Sequence, residues 1–210
     1  GLRDVKPPPP PVSLTGSDGS GLEFRTLDAR AVIAGPLAYT ELHLTFHNQE
    51  AREREGRFAI TLPDGATVSR LAMKVNGTWE EAEVVPKLKA RQIYERHFVQ
   101  RRDPALLEQD AGNGFSTRIY PIAANEDKEL IIGFAHAVST QAPYRLALAG
   151  LPRIGTLSVT VAEGDKIDRL AAHAITPTED VVRPIAPGAR AVSGGDAVAM
   201  TSVLAAPRVT

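Results

Sequence analysis

His43 and His47, in the stretch "ELHLTFHN", have the best spacing in the chain for sharing a metal ion. On a helix, a four-residue offset puts two imidazoles on one face. The surrounding pattern describes a strand instead. Leu42, Leu44 and Phe46 point one way, and Glu41, His43, Thr45 and His47 the other. At roughly 3.3 Å per residue the two histidines then stand about 13 Å apart, too far for one ion. His136 and His173 stand alone in strand patterns. No metal site is expected.

Covalent and acid–base chemistry find no better footing. There is no cysteine, which excludes a thiol nucleophile, a thiolate metal site and a disulfide framework. "GNGFSTR" does not complete the Gly-x-Ser-x-Gly elbow of a serine hydrolase. Glu80 and Glu81 are adjacent, so in a strand they face opposite ways. "SDGSG" lacks the Gly-Lys-Ser/Thr ending of a phosphate loop. No catalytic residue and no cofactor is expected.

One strongly charged stretch is left. Lys87, Lys89, Arg91, Arg96, Arg101 and Arg102 are offset only by Glu95. A phosphate backbone would be gripped by such a stripe. Yet Tyr94 and Phe98 fall on the apolar side of the same segment, and Asp103, Glu108 and Asp110 follow it. The net charge of −1 supplies no overall pull toward nucleic acid. A solvated face or an acidic protein partner is favoured, with Lys89, Arg91 and Arg96 as the candidate interaction surface. Leu106 and Leu107 either extend that surface or plug the edge of the core. Nucleic-acid binding through the basic face stands as an alternative, as does a hydrolase acting on envelope glycans.

These residues need elements to position them. Ala90, Ile93, Tyr94, His97 and Phe98 recur at helical offsets, with Pro86 in the first turn and Pro104 beyond the end. The spacing predicts one α-helix over about residues 86–102, with Tyr94 and Phe98 packed inward. Around it the chain reads as short strands. "LDARAVIAGPLAYTELHLTFHNQ" gives two strands about Gly35-Pro36. "VSRLAMKVNGTWEEAEVV" gives a hairpin about Asn76-Gly77. "FSTRIYPI", "KELIIGFAHAV" and "TLSVTVA" continue the series. The expected fold is all-β, an antiparallel β-sandwich with one inserted α-helix.

Composition divides the chain further. Residues 1–21 read as a linker, stiff at Pro7 to Pro11 and flexible from Ser13 to Gly21. Residues 22–150 read as the main domain, and 151–210 as an additional β segment packed on or continuing it. No apolar run reaches the roughly 20 residues of a spanning helix, so no membrane insertion is expected. The spacer-like start leads us to expect a fragment of a longer chain.

The order of motifs resembles a known family, the vault protein inter-alpha-trypsin (VIT) domain. The resemblance is carried by "AGPLAYTELHLTFHN", "EGRFAITLPDGATV", "KLKARQIYERHF", "DPALLEQ", "GFSTRIYPI" and "KELIIGF", from about Leu22 to Tyr144. Tyr94, Phe98, Pro104, Phe115 and Pro121 stand at its motif positions. The resemblance implies an all-β, non-catalytic interaction or scaffold module, usually placed before a von Willebrand factor A domain. The expected partner is another protein or such an A domain of the same chain. The expected location is periplasmic, cell-surface or secreted, in a bacterial envelope protein. No Asp-x-Ser-x-Ser motif of an A domain occurs in these residues.

Overall fold

The computed structural model describes residues 8–82, 108–109 and 113–187. Among them the chain forms thirteen strands and no helix. In order these are β1 Val12–Gly16, β2 Glu23–Ala34, β3 Leu37–His47, β4 Arg54–Thr61, β5 Thr67–Val75, β6 Thr78–Glu81 and β7 Glu108–Gln109. They continue as β8 Gly114–Ile122, β9 Asp127–Ala137, β10 Tyr144–Leu146, β11 Ile154–Glu163, β12 Lys166–Ile175 and β13 Val181–Arg183. The helix expected over 86–102 lies outside the described residues. So do Lys89, Arg91, Tyr94, Arg96, Phe98, Pro104, Leu106 and Leu107.

The strands form three sheets. A seven-stranded sheet runs β12-β11-β2-β3-β9-β5-β6, a four-stranded sheet β1-β4-β8-β7, and β10 pairs with β13. Pairings are antiparallel except that of β11 with β2, which is parallel, with Leu157 opposite Leu27 and Val161 opposite Ala31. A wholly antiparallel sheet was the sequence expectation. Hydrophobic alternation has the same period in both kinds of pairing, so it carries no strand direction.

Alternation explains which face is buried. Leu42, Leu44 and Phe46 of β3 point into the core, joined by Leu27, Ala29 and Ala31 of β2 and Leu130, Ile132 and Phe134 of β9. Phe58 and Ile60 of β4 and Phe115, Ile119 and Ile122 of β8 belong to the same apolar cluster. Both large sheets therefore bury one face in a single continuous core. Each large side chain removed from water there contributes about 1.5–3 kcal/mol. Phe24 and Phe46 stack within it, with ring centroids 4.6 Å apart. β11 adds Ile154, Leu157, Val159 and Val161, so residues after 151 complete the seven-stranded sheet and its core.

The flexible-spacer reading of Ser13 to Gly21 is corrected. Val12–Gly16 is strand β1, in register with β4 from Val12 opposite Ile60 to Gly16 opposite Gly56. Val12 and Leu14 are buried, while Ser13 and Thr15 face outward. Small polar residues look like linker by composition. Their alternation with Val12 and Leu14 lets them complete a sheet edge once β4 is in place. The Asn76-Gly77 hairpin forms as read. Asn76 (φ 49°) and Gly77 (φ 79°) both adopt the left-handed conformation that a type I′ turn requires.

Candidate functional site

The face of β3 turned away from the core carries Tyr39, Glu41, His43, Thr45 and His47. Opposite Glu41 stand Arg30 on β2 and Gly133 on β9. Arg70 of β5 pairs with Gly133 on its far side, and Glu81 of β6 lies beyond. Four strands thus bring charged side chains from distant parts of the chain onto one patch of sheet.

Glu41 is its centre. The alternation puts it on the face opposite Leu42, Leu44 and Phe46, yet only 4% of it is exposed. Its Oε2 accepts from Arg70 Nη1 at 3.1 Å and from Tyr39 Oη at 3.2 Å. Its Oε1 lies 2.6 Å from His43 Nε2. Arg70 continues the chain by donating from Nη2 to Glu81 Oε1 at 2.9 Å. Burial alone would raise the Glu41 carboxyl. The hydrogen bond from His43 and the charge of Arg70 outweigh it and hold the group below the usual carboxylate range. Burial, reinforced by the Glu41 charge, pushes the Tyr39 phenol up to about 12.

That arrangement sets what the patch can do. Both oxygens of Glu41 are engaged and its proton affinity is lowered, which makes it a poor base near neutral pH. Tyr39 is too weak an acid to donate there, and Arg70 is held between two carboxylates. General acid–base work needs a group poised near the working pH. Glu41, Tyr39 and Arg70 thus form a fixed hydrogen-bonded network.

Further ion pairs flank it. Arg30 holds Asp28 at 2.7 Å and Lys74 holds Glu129 at 2.8 Å. Asp127 takes Arg25 at 3.1 Å and lies 2.8 Å from His47 Nδ1. His43 and His47 therefore engage different carboxylates, as their strand spacing implied. Among the described residues no group of three or more His, Asp or Glu side chains is placed to hold a metal ion.

Two buried groups lie elsewhere. Lys128 donates to the carbonyl of Lys74 at 2.9 Å, and burial holds its ammonium below the usual range. His136 stacks on Tyr144 with centroids 5.8 Å apart, and burial lowers its proton affinity. At the turn after β1, Asp18 accepts from the backbone and hydroxyl of Ser20 and from Arg54 at 2.8 Å. The Ser20 hydrogen bonds, with Arg54 behind them, bring its carboxyl down to about 2.

Of the residues singled out from sequence, Phe115 is buried on β8 and Pro121 follows a cis peptide bond in the same strand. The other motif and surface residues lie outside the described part. The Glu41 network was missed, although Glu41 and His43 had been set on one face. The available signal was Gly133, a lone glycine inside the run "KELIIGFAHAV" that marks a close approach.

The profile of the vault protein inter-alpha-trypsin (VIT) domain matches residues 24–134, more than half of the chain. This chain belongs to the VIT domain family. The match runs from β2 to β9 and so includes every strand of the Glu41 network. No curated protein matches the chain. Among solved structures, the VIT chain is similar to a Legionella pneumophila protein described as nutrient-binding, at 10% identity and TM-score 0.44, covering 82% of this chain and 66% of that one. It is similar to an M1 zinc metallopeptidase from Deinococcus radiodurans at 15% identity and TM-score 0.39, covering 81% and 41%. A Parabacteroides distasonis protein described as a protease gives 8% identity and TM-score 0.39, covering 68% and 29%. The chain thus spans less than two thirds of each. At such identities and scores these likenesses carry no argument about activity or ligands.

Proposed function

We propose that this VIT domain is a non-catalytic interaction or scaffold module, a two-layer β-sandwich within a larger envelope or secreted protein of the VIT–von Willebrand factor A type. Membership of the family is the first support. The observation that carries the reading is Glu41: this buried carboxylate of the outer sheet face is ion-paired with Arg70 and hydrogen-bonded to His43 within the same face. A scaffold benefits from such a closed network, because it fixes neighbouring strands without exposing a reactive group.

The partner we favour is an A domain of the same protein or an acidic surface on another one. The basic residues Lys89, Arg91 and Arg96, with Leu106 and Leu107 beside them in sequence, supply the complementary chemistry. The test is a titration of the 210-residue chain against a separately produced A domain from a VIT-containing protein. Saturable binding that weakens with salt and with the R91E/R96E pair is expected. Turnover of an envelope glycan by the purified chain, abolished by Glu41→Gln, would overturn the reading.

A further inference from the structure

β12 is the outermost strand of the seven-stranded sheet. No described strand pairs with its outer edge. It runs ten residues and is exposed almost throughout, including Ile167 at 48% and Leu170 at 46%. An edge of this kind leaves a row of N–H and C=O groups open to another strand. No proline interrupts Lys166–Ile175 and its pairing with β11 keeps one register, although Ala174 takes a left-handed φ of 50° near its end.

The order of residues along β12 selects the occupant. Its charges, Lys166, Asp168 and Arg169, lie in the first half. The second half holds Ala171, Ala172 and Ala174, with His173 between them. We propose that the edge takes a second copy of this chain, the two β12 strands pairing antiparallel about a two-fold axis at Leu170. In that register Asp168 and Arg169 lie opposite Ala172 and Ala171 of the second copy, and Leu170 lies opposite its counterpart. Asp168 is paired with Arg183 of β13, and centring the axis on Arg169 would set two guanidinium groups against each other, which destabilises a strand pair. Leu170 pairs with buried Val159 on β11, so it lies on the core-side face, and two leucines there extend the apolar layer across the junction. The contact is a strand edge rather than a broad interface, so association is weak and concentration-dependent.

This inference rests on the interaction-module reading and names one surface of it. Sedimentation velocity of the whole chain over a wide concentration range is the experiment. The wild type is expected to dimerise. Leu170→Lys and Leu170→Glu each remain monomeric alone, and an equimolar mixture restores a dimer, because residue 170 faces itself. Ala171→Glu, which sets a carboxylate opposite Arg169 of the second copy, tightens association by about tenfold, and Ala171→Lys weakens it by about as much. Position 171 is exposed, so these two variants answer the question without a folding defect. Tyr120→Lys, on a different sheet, leaves association unchanged. A wild type that stays monomeric at every concentration overturns the proposal, as does dimerisation indifferent to residues 170 and 171. Neither result touches the A-domain titration, which tests the parent reading by itself.

Discussion

Tyr39 occupies the space that a side chain at residue 133 would need. A Cβ placed on Gly133 would stand 2.3 Å from Tyr39 Oη and 3.2 Å from the Cβ of Arg70. The glycine on β9 therefore lets a phenol from β3 and a guanidinium stem from β5 meet over it, where both bond to Glu41. One absent methyl group is a condition for the network.

Gly133→Ala is expected to destabilise the fold by about 1–3 kcal/mol, through overpacking that displaces Tyr39. Tyr39→Phe removes the closest atom and should recover part of that loss. The double variant is then less destabilised than the sum of the singles. Urea denaturation midpoints of the four proteins check this, and strict additivity would show that the close approach is not what Gly133 provides.

The acidic limb of stability should depend on Glu41 and Asp18. Both carboxyls are depressed in the folded chain, so the unfolded chain takes up protons first as pH falls. The Glu41 contribution is complete above its ordinary value of 4.5 and is lost as pH drops through its lowered folded value. That of Asp18 is lost between 3.8 and about 2. Glu41→Gln and Asp18→Asn should each flatten the fall of the urea midpoint below pH 4.5. Glu41→Gln also costs about 1–3 kcal/mol at pH 7, because Arg70 and His43 lose a charged acceptor. An unchanged acid limb in both variants contradicts the assignment.

β1 is expected to be part of the fold rather than a tether. Leu14 is 2% exposed and lies in the common core. Leu14→Ala should cost about 2–5 kcal/mol. Ser13→Ala, one residue away on the outward side, should leave the thermal midpoint nearly unchanged. Equal small effects at both positions would mark the segment as a linker.

Local alternation made β3 legible, since Leu42, Leu44 and Phe46 repeat every second residue. Asn76-Gly77 made its hairpin legible because few other dipeptides accept two positive φ angles. The family motifs placed the strands from β2 to β9 in order. β1 was hidden because Ser, Thr and Gly in a short segment carry the same composition whether they are solvated or paired. The direction of β11 was hidden because a strand's side-chain period does not change with the direction of its neighbour.

The sequence by itself determined an all-β chain of the VIT family, the face of β3 that goes inward, and the want of cysteine chemistry. These follow from residue type and spacing over short distances, where backbone geometry is the only intermediary. Only the tertiary structure decided that Glu41 is buried on an outward face, that Arg70 and His43 bond to it, and that β12 is the outermost described strand of its sheet. Each of those depends on segments far apart in the chain being brought side by side, and no local pattern records such a meeting.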